Sequence, residues 1–99
     1  MRIALDFDDT VTLDPLFWTE FVRLARLHGH SVTIVTIRHQ GWDNSDILGF
    51  ATDLGVAVVC TDGEQKSTRH TADVWIDDSP VMIPNYSQSH GLLIPGEEA

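Results

Sequence analysis

The chain has 99 residues and a mass of 11.0 kDa, enough for a single domain spanning 1–99 and no second core. Hydrophobic residues make up 42% and charged residues 21%, a composition that excludes both a disordered tail and a membrane protein. Fifteen acids against six bases leave a formal charge of −9, so nucleic acid will not be held through a general electrostatic footprint.

Arg2 to Asp8 reads as a buried strand: Ile3, Ala4 and Leu5, then carboxylates where the apolar run stops. In an extended segment residues i and i+2 point to one side, which predicts that Asp6 and Asp8 face a common point. Asp14-Pro15 is a helix start, with Asp as N-cap and Pro at the first helical position. That helix is expected to run to about His28, with Phe17, Phe21, Leu24 and His28 on one face and Gly29 ending it. Ser31 to Thr36 is a second, β-branched strand. A polar loop leads to a second helix over Asn44 to Leu54, with an inner face of Ile47, Phe50 or Ala51, and Leu54, closed by Gly55. Val56 to Cys60 is a third strand, Asp62 to His70 a loop with one or two helical turns, and Ala72 to Ile76 a fourth strand ending at Asp77-Asp78. Ser79-Pro80 restarts a short helix or turn, Gly91 to Ile94 reads as a last edge strand, and Gly96 to Ala99 as a frayed end.

The longest apolar run, Val56 to Cys60, is far too short to span a bilayer. The first apolar stretch is cut by Asp6, which argues against a secretory signal. Cys60 is the only cysteine, so no internal disulfide and no multi-cysteine zinc site can form, and a reducing, cytoplasmic setting is expected. His28, His30, His70 and His90 offer no pair with metal-ligand spacing.

Strand and helix alternate, which predicts an α/β domain with a parallel sheet and helices on both faces. Ligands in such sheets sit beyond the carboxyl ends of the strands, near the point where strand order reverses. The polar residues gather at those ends: Asp6 and Asp8 after strand one, Thr36 after strand two, Asp77 and Asp78 after strand four. Two carboxylates two residues apart repel unless a cation sits between them. If strand four lies beside strand one, a second acidic pair joins them, and Mg²⁺ is the natural counter-ion for such an all-oxygen set. Taken singly, each signal has an ordinary structural reading. Asp-x-Asp is common turn chemistry, Asp77-Asp78 before Ser-Pro can cap a helix, Thr36 suits a strand, and Lys66 suits a solvated surface.

Taken in order, the segments resemble the haloacid dehalogenase-like (HAD) phosphohydrolase superfamily. IALDFDDT is similar to its first motif, an apolar strand followed by D-x-D-x-T. SVTIVT, ending in Thr36, resembles the second; Lys66 is placed like the third-motif lysine; ADVWIDD resembles the fourth, an apolar strand ending in two acids. The resemblance spans residues 3 to 78 and implies a three-layer Rossmann-like fold. It further implies that Asp6 is the nucleophile forming an aspartyl-phosphate, and that Asp8 protonates the leaving oxygen and then activates water. Thr36 would bind a phosphoryl oxygen, together with Thr10 of the first motif, and Lys66 would neutralise charge on the phosphoryl group and on Asp6. Mg²⁺ would be held by Asp6, the backbone carbonyl of Asp8 and the terminal acids, with Asp78 favoured over Asp77 as direct ligand. Arg69 is the alternative to Lys66 in the lysine role.

A response-regulator receiver domain also begins with an acidic pair, but here strand three ends at Cys60-Thr61 and the second acidic pair follows the lysine. Lys66 lacks the glycine spacing of a P-loop. Only 22 residues separate Asp8 from Ser31, so no cap domain fits there, and the segments after strands two and three are equally short. The site is therefore expected to be open, covered by substrate, by a second copy of the chain or by a short flap at Val11 to Leu13. In the loop after Thr36, Arg38 is a candidate to grip a second phosphate or carboxylate, and Trp42 to stack on a base. The resulting expectation is a capless Mg²⁺-dependent phosphatase acting on a phosphomonoester, a nucleotide or a polynucleotide end. The alternatives are a catalytically silent Mg²⁺- or phosphate-binding regulatory module, and a phosphotransferase of the same fold.

Overall fold

Four short runs of β-branched and aliphatic residues form one all-parallel sheet in the computed structural model, which describes residues 1–84. The strands are β1 (Arg2–Leu5), β2 (Ser31–Thr36), β3 (Ala57–Cys60) and β4 (Val74–Ile76), in the order β3-β2-β1-β4. The edge strand expected at Gly91 to Ile94 and the frayed end at Gly96 to Ala99 lie outside the described residues. Two α-helices, α1 (Pro15–Leu27) and α2 (Ser45–Leu54), complete a small α/β domain. No helix among the described residues is long and apolar enough to cross a membrane.

Register decides which side chains share a face. Leu5 lies opposite Ile34 on β2 and Ile76 on β4, and Ile34 lies opposite Val58 on β3. Parallel neighbours in register point the same way, so Ile3, Leu5, Val32 and Ile34 present one apolar face. Both helices pack on that face, through Val22 and Ala25 of α1 and Ile47, Ala51 and Leu54 of α2. Among the described residues both α-helices thus lie on one face, where the sequence predicted helices on both. The crossovers β1-α1-β2 and β2-α2-β3 step in the same direction along the sheet, and right-handed crossovers in one direction fall on one side. The β3–β4 crossover steps back the other way past β2 and β1. It carries only a 3₁₀ turn at Lys66–Thr68, with His70 set edge-on against Trp75 of β4.

Asp14 caps α1 as its sequence predicts, accepting from the Phe17 N–H at 3.2 Å, with Pro15 at the first position. The buried stripe of α1 differs from the expected Phe17, Phe21, Leu24 and His28. It runs along Trp18, Phe21, Val22 and Ala25, and Phe17 and Leu24 are more than half exposed. The small side chains of Val22 and Ala25 let the helix approach the sheet, and the larger aromatics wedge in at the sides. Leu24 and His28 instead line an apolar groove of about 350 Å³ beside β1 and β4, shared with Met1, Ile3, Val74 and Ile76.

Helix α2 buries its expected face and ends at Gly55 in the left-handed region, φ 69°. A Cβ there would stand 3.2 Å from Nη1 of Arg26, the atom that donates to the Leu54 carbonyl. Gly55→Ala is expected to destabilise the fold by about 1–2 kcal/mol, read as a lower urea midpoint with an unchanged slope. An unmoved midpoint would show that this turn relaxes without strain.

Candidate metal centre

Strand order reverses between β1 and β4, because the chain leaves β1 toward β2 and later returns to the other side of β1. The pairing is tied at both ends. The Asp73 N–H donates to the Arg2 carbonyl, and the Asp6 N–H to the Ile76 carbonyl, each at 2.9 Å. Asp6 therefore emerges beside Asp77 and Asp78. One carboxylate oxygen from each of these three lies within 4.8 Å of the others.

The first strand ends sooner than the sequence suggests, at Leu5 rather than Asp8. Asp9 takes a positive φ of 59°, and the N–H groups of Thr10 and Thr12 return to the Phe7 carbonyl. The segment turns, so the extended alternation that would aim Asp6 and Asp8 at one point does not apply. The Asp8 carboxylate stands outside the three-acid cluster, although Asp8 lines the same cleft. The turn also brings the buried Thr10 back, its hydroxyl donating to Asp6 Oδ2 at 3.0 Å, with Asp78 Oδ1 at 3.5 Å. In the structure the Thr10 hydroxyl is therefore a partner that orients Asp6.

Lys66 is 2% exposed. Its Nζ donates to Asp6 Oδ1 at 2.8 Å and to Asp77 Oδ2. Arg69, the alternative for this position, is exposed and paired with Glu64 at 2.8 Å. Two carboxylates thus face one buried ammonium, with a third, Asp78, close beside them. Burial, with Asp78 alongside, pushes the Asp6 carboxyl from its ordinary 3.8 up to about 6, and Lys66 opposes the rise without cancelling it. Asp77 is engaged on both oxygens, since its Oδ1 accepts from the Ser79 N–H at 2.9 Å. Asp78 is the more exposed of the two, which suits it to an incoming ligand.

The cluster forms the floor of a cleft of about 320 Å³, with Asp8, Asp9, Thr36 and Ser79 around it. Thr36 is almost fully buried, and its Oγ1 accepts from the Arg38 N–H at 3.3 Å. A hydroxyl accepting one bond still has its own proton to donate. Arg38 does not present its guanidinium to the cleft as a free grip. It is bound to Asp8 on one edge and Asp46 on the other. Trp42 is 59% exposed and tilted against His39, ring centroids 4.9 Å apart.

Sequence reasoning missed Asp46, which carries no signal beyond lying in the first turn of α2. It also missed Ile37, Ser79 and Met82 as cleft residues. Ser79 and Met82 could have been found by following the chain past the second acidic pair. The oxygen-only donor set, the burial of Asp6 and its raised proton affinity fit a hard divalent cation, since a cation would relieve the repulsion that a proton otherwise relieves. No protein-family model matches the chain, and neither a curated protein nor a solved structure does.

Proposed function

We propose that this chain is a Mg²⁺-dependent phosphohydrolase with a Rossmann-like, HAD-like core and no cap, acting on phosphomonoesters. The observation that carries the reading is the meeting of Asp6, Asp77 and Asp78, the first two paired to the buried Lys66, where strand order reverses. A buried carboxylate beside a buried lysine, at the floor of an open polar cleft, is the apparatus for attacking a phosphorus centre.

Asp6 Oδ attacks phosphorus while the ester P–O bond breaks, and the leaving oxygen takes a proton from Asp8. Water then attacks the aspartyl-phosphate, Asp8 takes the water's proton, and the P–O bond to Asp6 breaks to release phosphate. Lys66 holds Asp6 in place and offsets charge on the phosphoryl oxygens, and Thr36 donates to one of them. Asp6, Asp78 and Asp77 would hold Mg²⁺, which supplies charge neutralisation for the phosphoryl group. The open cleft favours a phosphate that protrudes from its carrier, such as a nucleotide or a polynucleotide end.

The test is hydrolysis of an aryl phosphate with and without Mg²⁺, beside calorimetric titration with Mg²⁺ alone. Turnover that needs the cation supports the enzyme. Cation binding without turnover across a broad panel of phosphate esters supports a regulatory module of the same fold. Product that appears only with an alcohol acceptor supports a phosphotransferase.

The proton on Asp6 gives the titration a pH signature. A carboxyl whose folded pKa lies above its unfolded value favours folding while protonated, an advantage lost as pH rises through about 6. A cation must displace that proton. Mg²⁺ affinity is therefore expected to rise with pH, by up to roughly tenfold per unit below about pH 6, and to level off above it. A flat affinity between about pH 5 and 7.5 would remove Asp6 from the ligand set.

A further inference from the structure

At the rim of the cleft, Arg38 joins two carboxylates from different parts of the chain. On one edge its Nε donates to Asp8 Oδ2 at 2.9 Å and its Nη2 to Asp8 Oδ1 at 2.6 Å. On the other edge Nη1 donates to Asp46 Oδ1 at 2.8 Å and Nη2 to Asp46 Oδ2 at 3.0 Å. The guanidinium also lies over the Phe7 ring, 5.6 Å from its centroid. We infer that Asp46 is a positioning residue for the reaction: it fixes the plane of Arg38, and Arg38 in turn fixes the carboxylate of Asp8. The inference rests on the phosphohydrolase reading for what Asp8 does, though the contacts themselves do not.

Asp8 needs such a device. It sits in the turn after β1 with its side chain 49% exposed, so packing does not choose its rotamer. A general acid is useful only when its oxygen meets the leaving group, and a displacement of about 1 Å costs on the order of a hundredfold. The Arg38 side chain is only 15% exposed and is held on two edges and one face. Its anchor, Asp46, belongs to the first turn of α2, where its Oδ1 also accepts from the Ile47 N–H at 2.8 Å. The next residue, Ile47, is fully buried in the core. The rigidity of the core thus passes from α2 through Asp46 and Arg38 to an exposed carboxylate. The fork geometry of arginine makes this transfer directional, which a lysine could not do. Each Asp8 oxygen accepts one bond from Arg38 and keeps a lone pair for proton exchange, so Asp8 is held without being blocked.

The rival reading is a surface ion-pair network that contributes only to stability, of the kind usually worth little. The two separate by leaving group. The full chain with Mg²⁺ is assayed as parent, Asp46→Ala and Arg38→Lys, on an aryl phosphate whose leaving anion needs no proton and on an alkyl phosphate whose leaving oxygen does. Because kcat/KM reports the steps through departure of the leaving group, positioning predicts a loss of about tenfold or more on the alkyl ester and less than about twofold on the aryl ester. Arg38→Lys should give the same pattern. Equal losses on both esters, or none on either, would overturn the inference. If the parent hydrolyses neither ester, the phosphohydrolase reading fails on its own, and amide-type exchange of the Arg38 Nε–H by NMR decides about the contacts. That proton is donated to Asp8, not to Asp46, so faster exchange in Asp46→Ala supports the positioning link and unchanged exchange refutes it.

Discussion

Asp6→Asn is expected to lower turnover of a phosphate monoester by at least about 10³-fold while the chain stays folded. Asparagine has the size of aspartate, and its amide oxygen can still accept from Lys66, but it cannot form the acyl-phosphate bond. The structure explains why the fold should survive. Asp6 is a buried member of three mutually repelling carboxylates, its proton affinity is raised, and Lys66 keeps Asp77 as a partner when the Asp6 charge is gone. Removing that charge takes away an electrostatic cost as well as an ion pair, so the thermal midpoint of the variant without divalent cation should match or exceed that of the parent at neutral pH. The two readouts belong together. Lost activity with an intact midpoint assigns Asp6 to chemistry, whereas residual activity above about a tenth of the parent would refute its role as nucleophile.

What the sequence made legible follows from where the physics is local. Strand and helix identity depended on β-branched runs, on the Asp14-Pro15 start and on Gly55, all of which act within a few residues, and these elements form near their expected places, with β1 and β4 shorter than expected. The junction of Asp6 with Asp77 and Asp78 was legible too, because it needs only β4 to lie beside β1. Three things were not. The side of the sheet taken by each helix depends on the direction of successive crossovers, a property of strand order that no single window contains. The buried stripe of α1 depends on how closely a helix can approach, which favoured Val22 and Ala25 over the bulkier Phe17 and Leu24. The fate of Asp8 depended on a positive φ at Asp9, which ends the strand early and delivers the side chain to Arg38. Arg38 itself was legible as a polar residue near the cleft, but its saturation by Asp46 is a tertiary fact written eight residues away with no periodic signal.

Lys66→Met should have the largest effect on stability of any single change at the cleft. Methionine keeps most of the volume and removes the one ammonium that donates to both Asp6 and Asp77. Breaking a buried ion pair by deleting one partner leaves uncompensated charge and typically costs about 3–5 kcal/mol, a large share of the net stability of a domain this small. At neutral pH without divalent cations, the variant is expected to lose most of its cooperative unfolding transition. Two treatments should restore it. Lowering the pH protonates Asp6, whose proton affinity is already raised in the folded parent and rises further once Lys66 no longer opposes it, so stability should increase as pH falls toward about 6. Millimolar Mg²⁺ should stabilise the variant more than the parent, because a cation bound by Asp6, Asp77 and Asp78 then supplies the positive charge that Lys66 supplied. Turnover should remain low under both treatments, since the phosphoryl oxygens still lack their lysine. Urea denaturation of parent and variant, with and without Mg²⁺, reads all of this in one experiment. A variant as stable as the parent without the cation, or one that Mg²⁺ leaves unchanged, would mean that the carboxylates do not share a site whose charge must be balanced.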